Sequence, residues 1–214
     1  MGRISFTSIG RLVKLNTGET YSPSLQNKIW FMAHIDLKNE LPGIRGPMAF
    51  RPETAKPLNA LAEVLLRDDN NSLTRGEREL IGAYVSSLND CFFCQNVHGA
   101  MAQYYMNCDM QFIDEIKRDY QSTDISEKLK ALLSIAASVQ KGGKNVTIDQ
   151  IEKARNVGAT DKEIHDAVLI AAAFCMFNRY VDGLATWAPQ DRQVYVNRAP
   201  MRAEEGYADF DFYK

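Results

Sequence analysis

Three helix-start signals constrain the fold of this chain more than any other feature of its sequence. In a capping box, a Ser or Thr and the Glu or Gln three residues later bond each other's backbone amides and begin a helix. The chain has three such pairs, each followed by apolar residues at helical spacing: Thr74 with Glu77, Thr147 with Gln150, and Thr160 with Glu163. Gly142 and Gly158 stand where a left-handed residue commonly ends a helix. The central part of the chain is therefore predicted to be helical.

Strand signals are confined to two short segments. Residues 4–7 and 193–196 alternate apolar and polar side chains, as a terminal arm or a short edge strand would. Apolar residues at helical spacing predict further helices around residues 25–32, 58–65 and 112–116. The sequence therefore predicts an all-α fold, a bundle of about eight helices with short irregular termini.

The length of 214 residues is enough for one large domain that buries roughly 70% of its unfolded surface. We expect a single helical domain over residues 1–214, in which residues 1–22 form an N-terminal arm. Residues 39–51, which include two Pro and two Gly, are predicted to be a loop. Residues 188–214 are predicted to be a polar C-terminal tail.

Charge and apolar segments argue against several kinds of partner. Because 25 Lys and Arg face 27 Asp and Glu, the net charge is −2, and no basic field favours nucleic acid or an anionic membrane. The longest apolar run, residues 167–177, is too short to span a bilayer. The first ten residues lack the apolar segment and cleavage site of a secretory signal. We therefore expect a cytoplasmic protein.

The cysteines are too few for a secreted disulfide framework, and in a reducing compartment a close pair indicates redox, catalytic or metal chemistry. The close pair here is Cys91 and Cys94. Asn89 and Asp90 are favoured N-cap residues, so a helix is predicted to begin there with both cysteines in its first turn. At about 100° per residue, the two cysteines and His98 fall within an arc of roughly 60°. We expect these three side chains to share one face.

The spacing of the two cysteines permits a thiol redox cycle. Residues three apart on a helix have Cα atoms roughly 5 Å apart, so the thiols can form a reversible disulfide. The helix dipole would favour ionisation of Cys91, whereas His98 stands one turn after Cys94, within reach for proton transfer. We give the imidazole more weight, and predict that Cys94 attacks a peroxide and becomes a sulfenic acid. Cys91 then forms a disulfide with it, and an external dithiol reduces that bond.

The spacing of Glu79, Cys91, Cys94 and His98 resembles the motif of the alkylhydroperoxidase D and carboxymuconolactone decarboxylase superfamily, with Glu twelve residues before Cys-x-x-Cys and His four residues after it. Other segments between roughly residues 40 and 207 look like its peroxidase-related branch: Leu41-Pro42-Gly43, Arg51–Thr54, Gly76–Glu79, Tyr84–Ser86, Phe177–Gly183 and Gly206-Tyr207. The resemblance implies a helical subunit that assembles into a homo-oligomer, a trimer or a hexamer. It also implies peroxide reduction in which the second cysteine attacks, the first resolves, and His98 and Glu79 relay protons. We expect no bound cofactor, and a dithiol protein or a small thiol as the reductant.

One position departs from the family pattern. Well-studied alkylhydroperoxidase D proteins have a second His directly before the second cysteine, where this chain has Phe93. The missing relay group predicts less efficient turnover of alkyl hydroperoxides, a different oxidant, or a more hydrophobic substrate.

Other interpretations of the same residues stay open. The two thiolates, His98 and Glu79 could surround zinc, but structural zinc usually takes its ligands from two separated pairs, so we expect no metal. Glu79 could be only a solvated acid in the first turn of a helix. The dithiol could also belong to a redox sensor or a disulfide-exchanging binding protein without substantial peroxidase turnover. A decarboxylase of the carboxymuconolactone type is disfavoured, because that reaction does not need a dithiol.

Overall fold

A computed structural model describes residues 33–208 of the chain. Within these residues it has nine α-helices, one 3-10 turn and no strand, which confirms the predicted all-α fold. The helices are α1 (Arg45–Phe50), α2 (Pro52–Arg67), α3 (Arg75–Leu88), α4 (Phe92–Met106), α5 (Met110–Asp119), α6 (Glu127–Lys141), α7 (Ile148–Asn156), α8 (Asp161–Gly183) and α9 (Gln193–Glu205). The 3-10 turn, Gly143–Asn145, lies between α6 and α7.

All three predicted capping boxes form. The side chains of Thr74, Thr147 and Thr160 each accept a hydrogen bond from the amide three residues later, and the Glu or Gln there bonds back to the Thr amide. They begin helices α3, α7 and α8. Gly142 ends α6 at φ +149° and Gly158 follows α7 at φ +89°, conformations that favour glycine. Local sequence chemistry therefore sets these boundaries, as predicted.

Helix α8 packs against helices α2, α3, α6 and α7. Its apolar side chains, among them Ile170, Phe174 and Val181, are buried. Among residues 33–208 it is the one helix that is long and apolar enough to cross a membrane, but 56% of that apolar window is buried inside the protein. Such burial is typical of a helix that forms part of a core.

The C-terminal segment differs from its prediction. Residues 193–196, predicted to be an arm or edge strand, begin helix α9, which occupies much of the predicted tail over residues 188–214. Tyr195, Ala199 and Ala203 recur every fourth residue and form the buried face of α9, which packs against α4. The strand prediction is wrong because four alternating residues are too few to reveal this helical period.

The predicted loop of residues 39–51 contains the short helix α1. Pro47 is tolerated there because it stands in the first turn, where its missing amide has no helical partner. The helices predicted around residues 58–65 and 112–116 are confirmed in α2 and α5. Three predictions lie outside the described residues: the N-terminal arm over residues 1–22, the alternating segment at residues 4–7, and the helix around residues 25–32.

Candidate active site

Helices α3 and α4 are joined by a tight turn. The amide of Cys91 donates to the carbonyl of Ser86 at 3.0 Å and that of Asp90 to Ser87 at 3.1 Å, which is a Schellman motif at the end of α3. Asp90 takes the left-handed conformation, at φ +57°, which Asp tolerates better than most residues. The prediction that Asn89 or Asp90 caps α4 is therefore wrong. Both residues belong to the end of α3, and Cys91 is the N-cap of α4.

The two cysteines at the start of α4 have different surroundings. Both are free thiols and both are buried, Cys91 at 0% and Cys94 at 3% exposure. Cys94 lines a cavity, whereas Cys91 does not. The pKa of the Cys91 thiol is raised, first by its interaction with the neighbouring Cys94 thiol and then because burial disfavours its charged form. The pair is thus asymmetric, with Cys91 holding its proton behind a Cys94 that faces the cavity.

A carboxyl group lies beside the inner cysteine. Asp182, near the end of α8, is a carboxyl group that interacts with the Cys91 thiol. Burial raises the pKa of Asp182, and the interaction with Cys91 opposes that rise. Asp182 is therefore a group that can exchange a proton with Cys91. Sequence spacing does not indicate this contact, because the two residues lie on helices that are distant along the chain.

Glu79 and His98 form a hydrogen-bonded pair across the contact between α3 and α4. Oε2 of Glu79 and Nδ1 of His98 are 2.7 Å apart. The Glu79 side chain is fully buried and that of His98 is 13% exposed, so the alternative of a solvated first-turn acid is wrong for Glu79. His98 lines the same cavity as Cys94. The structure thus brings the four predicted site residues together as two pairs. One member of each pair, Cys94 and His98, lines the cavity.

Tyr207 is a site residue that sequence reasoning missed. Its hydroxyl donates to Oε1 of Glu79 at 2.6 Å, and its ring stacks on the ring of His98 with centroids 6.0 Å apart. The guanidinium of Arg202 lies over the same tyrosine ring at 4.7 Å. Burial raises the pKa of Tyr207 well above its ordinary value, so the hydroxyl stays a donor. The one sequence signal was the family likeness of Gly206-Tyr207, which indicates no chemical role.

The imidazole of His98 is also supported from the side. The ring of Phe174 on α8 meets it edge to face, with centroids 4.5 Å apart. Phe174 in turn lies against Gly82 on α3, where an added Cβ would come within 2.4 Å of the phenyl ring. Gly82 therefore makes room for the ring that supports the imidazole.

A cavity of about 490 Å³ adjoins these groups. Cys94, His98 and Tyr207 line it together with mostly apolar side chains. Phe93, which stands where the family pattern has a second His, is another lining residue, and its ring packs edge to face on Tyr195 at 6.0 Å. At this position the chain therefore adds apolar surface to the cavity instead of a proton-relay group.

The arrangement of donors does not favour the zinc alternative. Within residues 33–208, no group of three or more His, Cys, Asp or Glu side chains is placed to hold a metal ion. Both oxygens of Glu79 are engaged, one by His98 and the other by Tyr207. A zinc site would need the carboxylate to face the two thiolates instead.

The region of the chain that matches a known protein family includes all four predicted site residues. A model of the carboxymuconolactone decarboxylase family matches residues 52–105 and 110–188, more than half of the chain. The chain belongs to this family. Among curated proteins, none matches it. The match ends at residue 188, before α9. Tyr207 of this carboxymuconolactone decarboxylase family protein therefore lies outside the matched region.

Solved structures show the same fold. An uncharacterized peroxidase-related protein from Ralstonia eutropha JMP134, described as an alkylhydroperoxidase AhpD core, is 28% identical with a TM-score of 0.65, over 81% of this chain and 84% of that one. An uncharacterized peroxidase-related protein from Silicibacter sp. TM1040 is 24% identical with a TM-score of 0.64, over 79% and 87%. A protein of unknown function from Agrobacterium tumefaciens is 23% identical with a TM-score of 0.58, over 68% and 97%. This carboxymuconolactone decarboxylase family protein therefore has the alkylhydroperoxidase D-like fold that the resemblance predicted.

Proposed function

We propose that this protein is a thiol-dependent peroxidase that reduces hydrogen peroxide or an organic hydroperoxide. The observation that carries the proposal is the shared cavity of Cys94 and His98, with the buried thiol of Cys91 beside Cys94 but outside the cavity lining. Family membership and the likeness to a peroxidase-related protein support an oxidoreductase.

In the first step, the Cys94 thiol gives its proton to His98 and its sulfur attacks the outer peroxide oxygen. The O–O bond breaks, and sulfur, oxidised by two electrons, keeps the outer oxygen as a sulfenic acid. The departing oxygen takes the proton from His98 and leaves as an alcohol, or as water when the substrate is hydrogen peroxide. His98 is restored at the end of this step.

Glu79 and Tyr207 act by positioning His98. Because Glu79 accepts from Nδ1, the lone pair of the neutral imidazole lies on Nε2, the nitrogen that is left to serve as the base. The Tyr207 hydroxyl holds the other carboxylate oxygen, so the carboxylate cannot rotate away from the imidazole without losing a hydrogen bond. Tyr207 is therefore a positioning residue.

In the second step, Cys91 gives its proton to a base and its sulfur attacks the sulfur of Cys94. Asp182 is the base beside it. The sulfenic hydroxyl takes up one proton and leaves as water, a disulfide forms, and Asp182 gives up the proton it took from Cys91, so that no net proton is gained or lost. A dithiol protein or a small thiol from outside then reduces the disulfide, so the cycle needs no bound cofactor. From the family likeness, we also propose a trimeric or hexameric assembly.

Peroxide treatment followed by mass spectrometry tests the proposal. The wild-type protein is expected to form the bond between Cys91 and Cys94. Cys94→Ser is expected to consume no peroxide, and Cys91→Ser to consume one equivalent and accumulate a sulfenic acid that dimedone traps on Cys94. Cys108→Ser, a change outside the cavity, is the matched control and should turn over like wild type. Absence of the bond in wild type would contradict the proposal, and the opposite pattern in the two variants would reverse the cysteine roles.

A redox sensor without substantial turnover is the second candidate. The observation that favours it is Phe93, which places an apolar ring where a proton relay would speed catalysis. A sensor would change its assembly size on oxidation and would not complete repeated cycles with a thiol reductant. Size-exclusion chromatography alongside steady-state kinetics distinguishes the two functions.

A further inference from the structure

Asn59 on α2 carries a buried amide that lacks a hydrogen-bond partner. The residue is 2% exposed, and its Nδ2 is the one buried side-chain nitrogen or oxygen without a partner in the part of the chain from residue 33 to residue 208. Leaving a buried donor unpaired costs about 1–3 kcal/mol. Asn59 lines the cavity that also contains Cys94 and His98. A bound molecule with an oxygen acceptor would satisfy this amide.

The walls near Asn59 favour an organic molecule over water. Leu58, Ala62 and Leu66, which are on the same helix, line the cavity with it. A buried water typically needs two to four polar partners, and α2 offers it Asn59 alone among its lining residues. The cavity volume of about 490 Å³ lies in the range of sites that hold small organic ligands. The site is therefore suited to an apolar body that carries an oxygen.

Helix α9 gives the cavity a solvent-facing side with positive charge. Three arginines line the cavity and no Asp or Glu does; two of the arginines, Arg198 and Arg202, are on α9. The Arg198 side chain is 41% exposed even though it pairs with Glu205, and Val194 on the same helix is 48% exposed. Asn59, at 2%, lies in the interior. A ligand with a negative end is therefore expected to keep that end at α9.

We propose that the cavity binds an amphipathic organic acid with an oxygen function on its chain, and that Asn59 selects this ligand by donating a hydrogen bond from Nδ2 to that oxygen. The inference rests on the proposed peroxidase function for one point only, that the oxygen is the hydroperoxide of the substrate or the hydroxyl of its product. The apolar chain packs on the α2 wall and the carboxylate lies at the α9 side. Asn59 is then a specificity-determining residue.

Equilibrium binding to the reduced wild-type protein tests the proposal in the absence of peroxide. The probes are decanoate, hydroxydecanoates with the hydroxyl at carbon 3, 6 or 10, and the decyltrimethylammonium cation, each titrated by calorimetry. At least one hydroxydecanoate is expected to bind about 5- to 10-fold more tightly than decanoate, through one hydrogen bond to an otherwise unpaired donor. The cation is expected to bind at least about 10-fold more weakly than decanoate because the arginines repel it.

Two substitutions separate a ligand-binding role of Asn59 from a structural one. Asn59→Leu is expected to remove the preference for the hydroxydecanoate and to raise the melting temperature, because it removes an unpaired buried amide. Asn178→Leu is the matched control: Asn178 is equally buried, but its Nδ2 donates to Ser86 at 3.0 Å. This control should lower the melting temperature and keep the binding preference.

Three results would overturn the proposal: no hydroxydecanoate distinguishes wild type from Asn59→Leu, the cation binds as well as decanoate, or Asn59→Leu is destabilised like Asn178→Leu. The peroxidase function is tested by a separate result, the disulfide between Cys91 and Cys94. If the disulfide between Cys91 and Cys94 does not form but the hydroxy-acid preference holds, the binding site stands and the peroxidase function falls. If the disulfide forms without that preference, only the role of Asn59 is lost.

Discussion

Oε2 of Glu79 lies 2.7 Å from Nδ1 of His98, so a carboxyl group on α3 fixes the orientation of an imidazole on α4. Because Glu79 is fully buried, water does not compete for this bond. The orientation of His98 therefore depends on how α3 and α4 pack and on the groups that hold the carboxylate.

Replacing Tyr207 with Phe is expected to slow the oxidation of Cys94 about tenfold, which corresponds to about 1.4 kcal/mol. The change removes the hydroxyl that donates to Glu79 and keeps the ring that stacks on His98. The freed carboxylate oxygen is left buried and unpaired, so the free energy of unfolding is also expected to fall by about 1–3 kcal/mol. Stopped-flow measurement of Cys94 oxidation as a function of pH gives both the rate and the apparent pKa of the relay.

Tyr195→Phe is the control for that experiment. Tyr195 also lines the cavity, but its hydroxyl donates to the carbonyl of Pro189 at 2.9 Å. Its loss is expected to leave the pH profile of Cys94 oxidation unchanged. Equal changes in the two pH profiles would show that Tyr207 does not position the relay.

Gly82→Ala is expected to destabilise the protein by about 1–2 kcal/mol, even though Ala is favoured over Gly within a helix. The new Cβ would lie 2.4 Å from the ring of Phe174, which is 1% exposed and packed against His98. Gly99→Ala is the matched control, because its Cβ would meet ordinary contacts at 3.5 Å. Urea unfolding compares the two variants, and equal stability would show that the ring of Phe174 moves aside freely.

Stability at low pH is expected to depend on Glu163. Burial alone would raise the pKa of Glu163, but hydrogen bonds from Lys128, Thr160 and Ser72 outweigh it and lower the pKa from 4.5 to about 2. Because the folded-state pKa is the lower one, the stabilisation, about 3 kcal/mol, is fully present above the unfolded-state pKa and is lost as pH falls through about 2.

Urea midpoints of wild type and Glu163→Gln measure this contribution. The difference between the two proteins is expected to be largest at neutral pH and to shrink as the pH falls from about 4.5 to about 2. A difference that stays constant over this window would show that the charge of Glu163 does not stabilise the fold.

Features that depend on nearby residues could be predicted from the sequence. The capping boxes at Thr74, Thr147 and Thr160 each involve four consecutive residues, and all three form. The cysteine pair and His98 lie within eight residues of one another, so helical geometry predicted that all three side chains share one face. Cys94 and His98 line the cavity, whereas Cys91 does not.

Features that depend on tertiary packing could not be predicted. Tyr207 reaches Glu79, Asp182 reaches Cys91, and the amide of Asn59 has no partner, and none of these facts has a signature in local spacing. The burial of Glu79 follows from the packing of α3 and α4 against each other, which residue spacing does not specify. The sequence thus indicated the candidate reactive groups but not the side chains that contact them.

The proposed chemistry depends on the C-terminal part of the chain, because helix α9 and Tyr207 both line the cavity. A chain that ended before Arg192 would lack one side of the cavity and the hydroxyl that holds Glu79, and would still contain the packed helices α3, α6 and α8. Cys94 would then be open to solvent, and His98 would no longer have the support that Tyr207 gives through Glu79. In the proposed cycle, a second equivalent of oxidant could then carry Cys94 irreversibly to the sulfinic acid. If the protein is the proposed peroxidase, a preparation shortened in this way is expected to lose activity that added reductant does not restore.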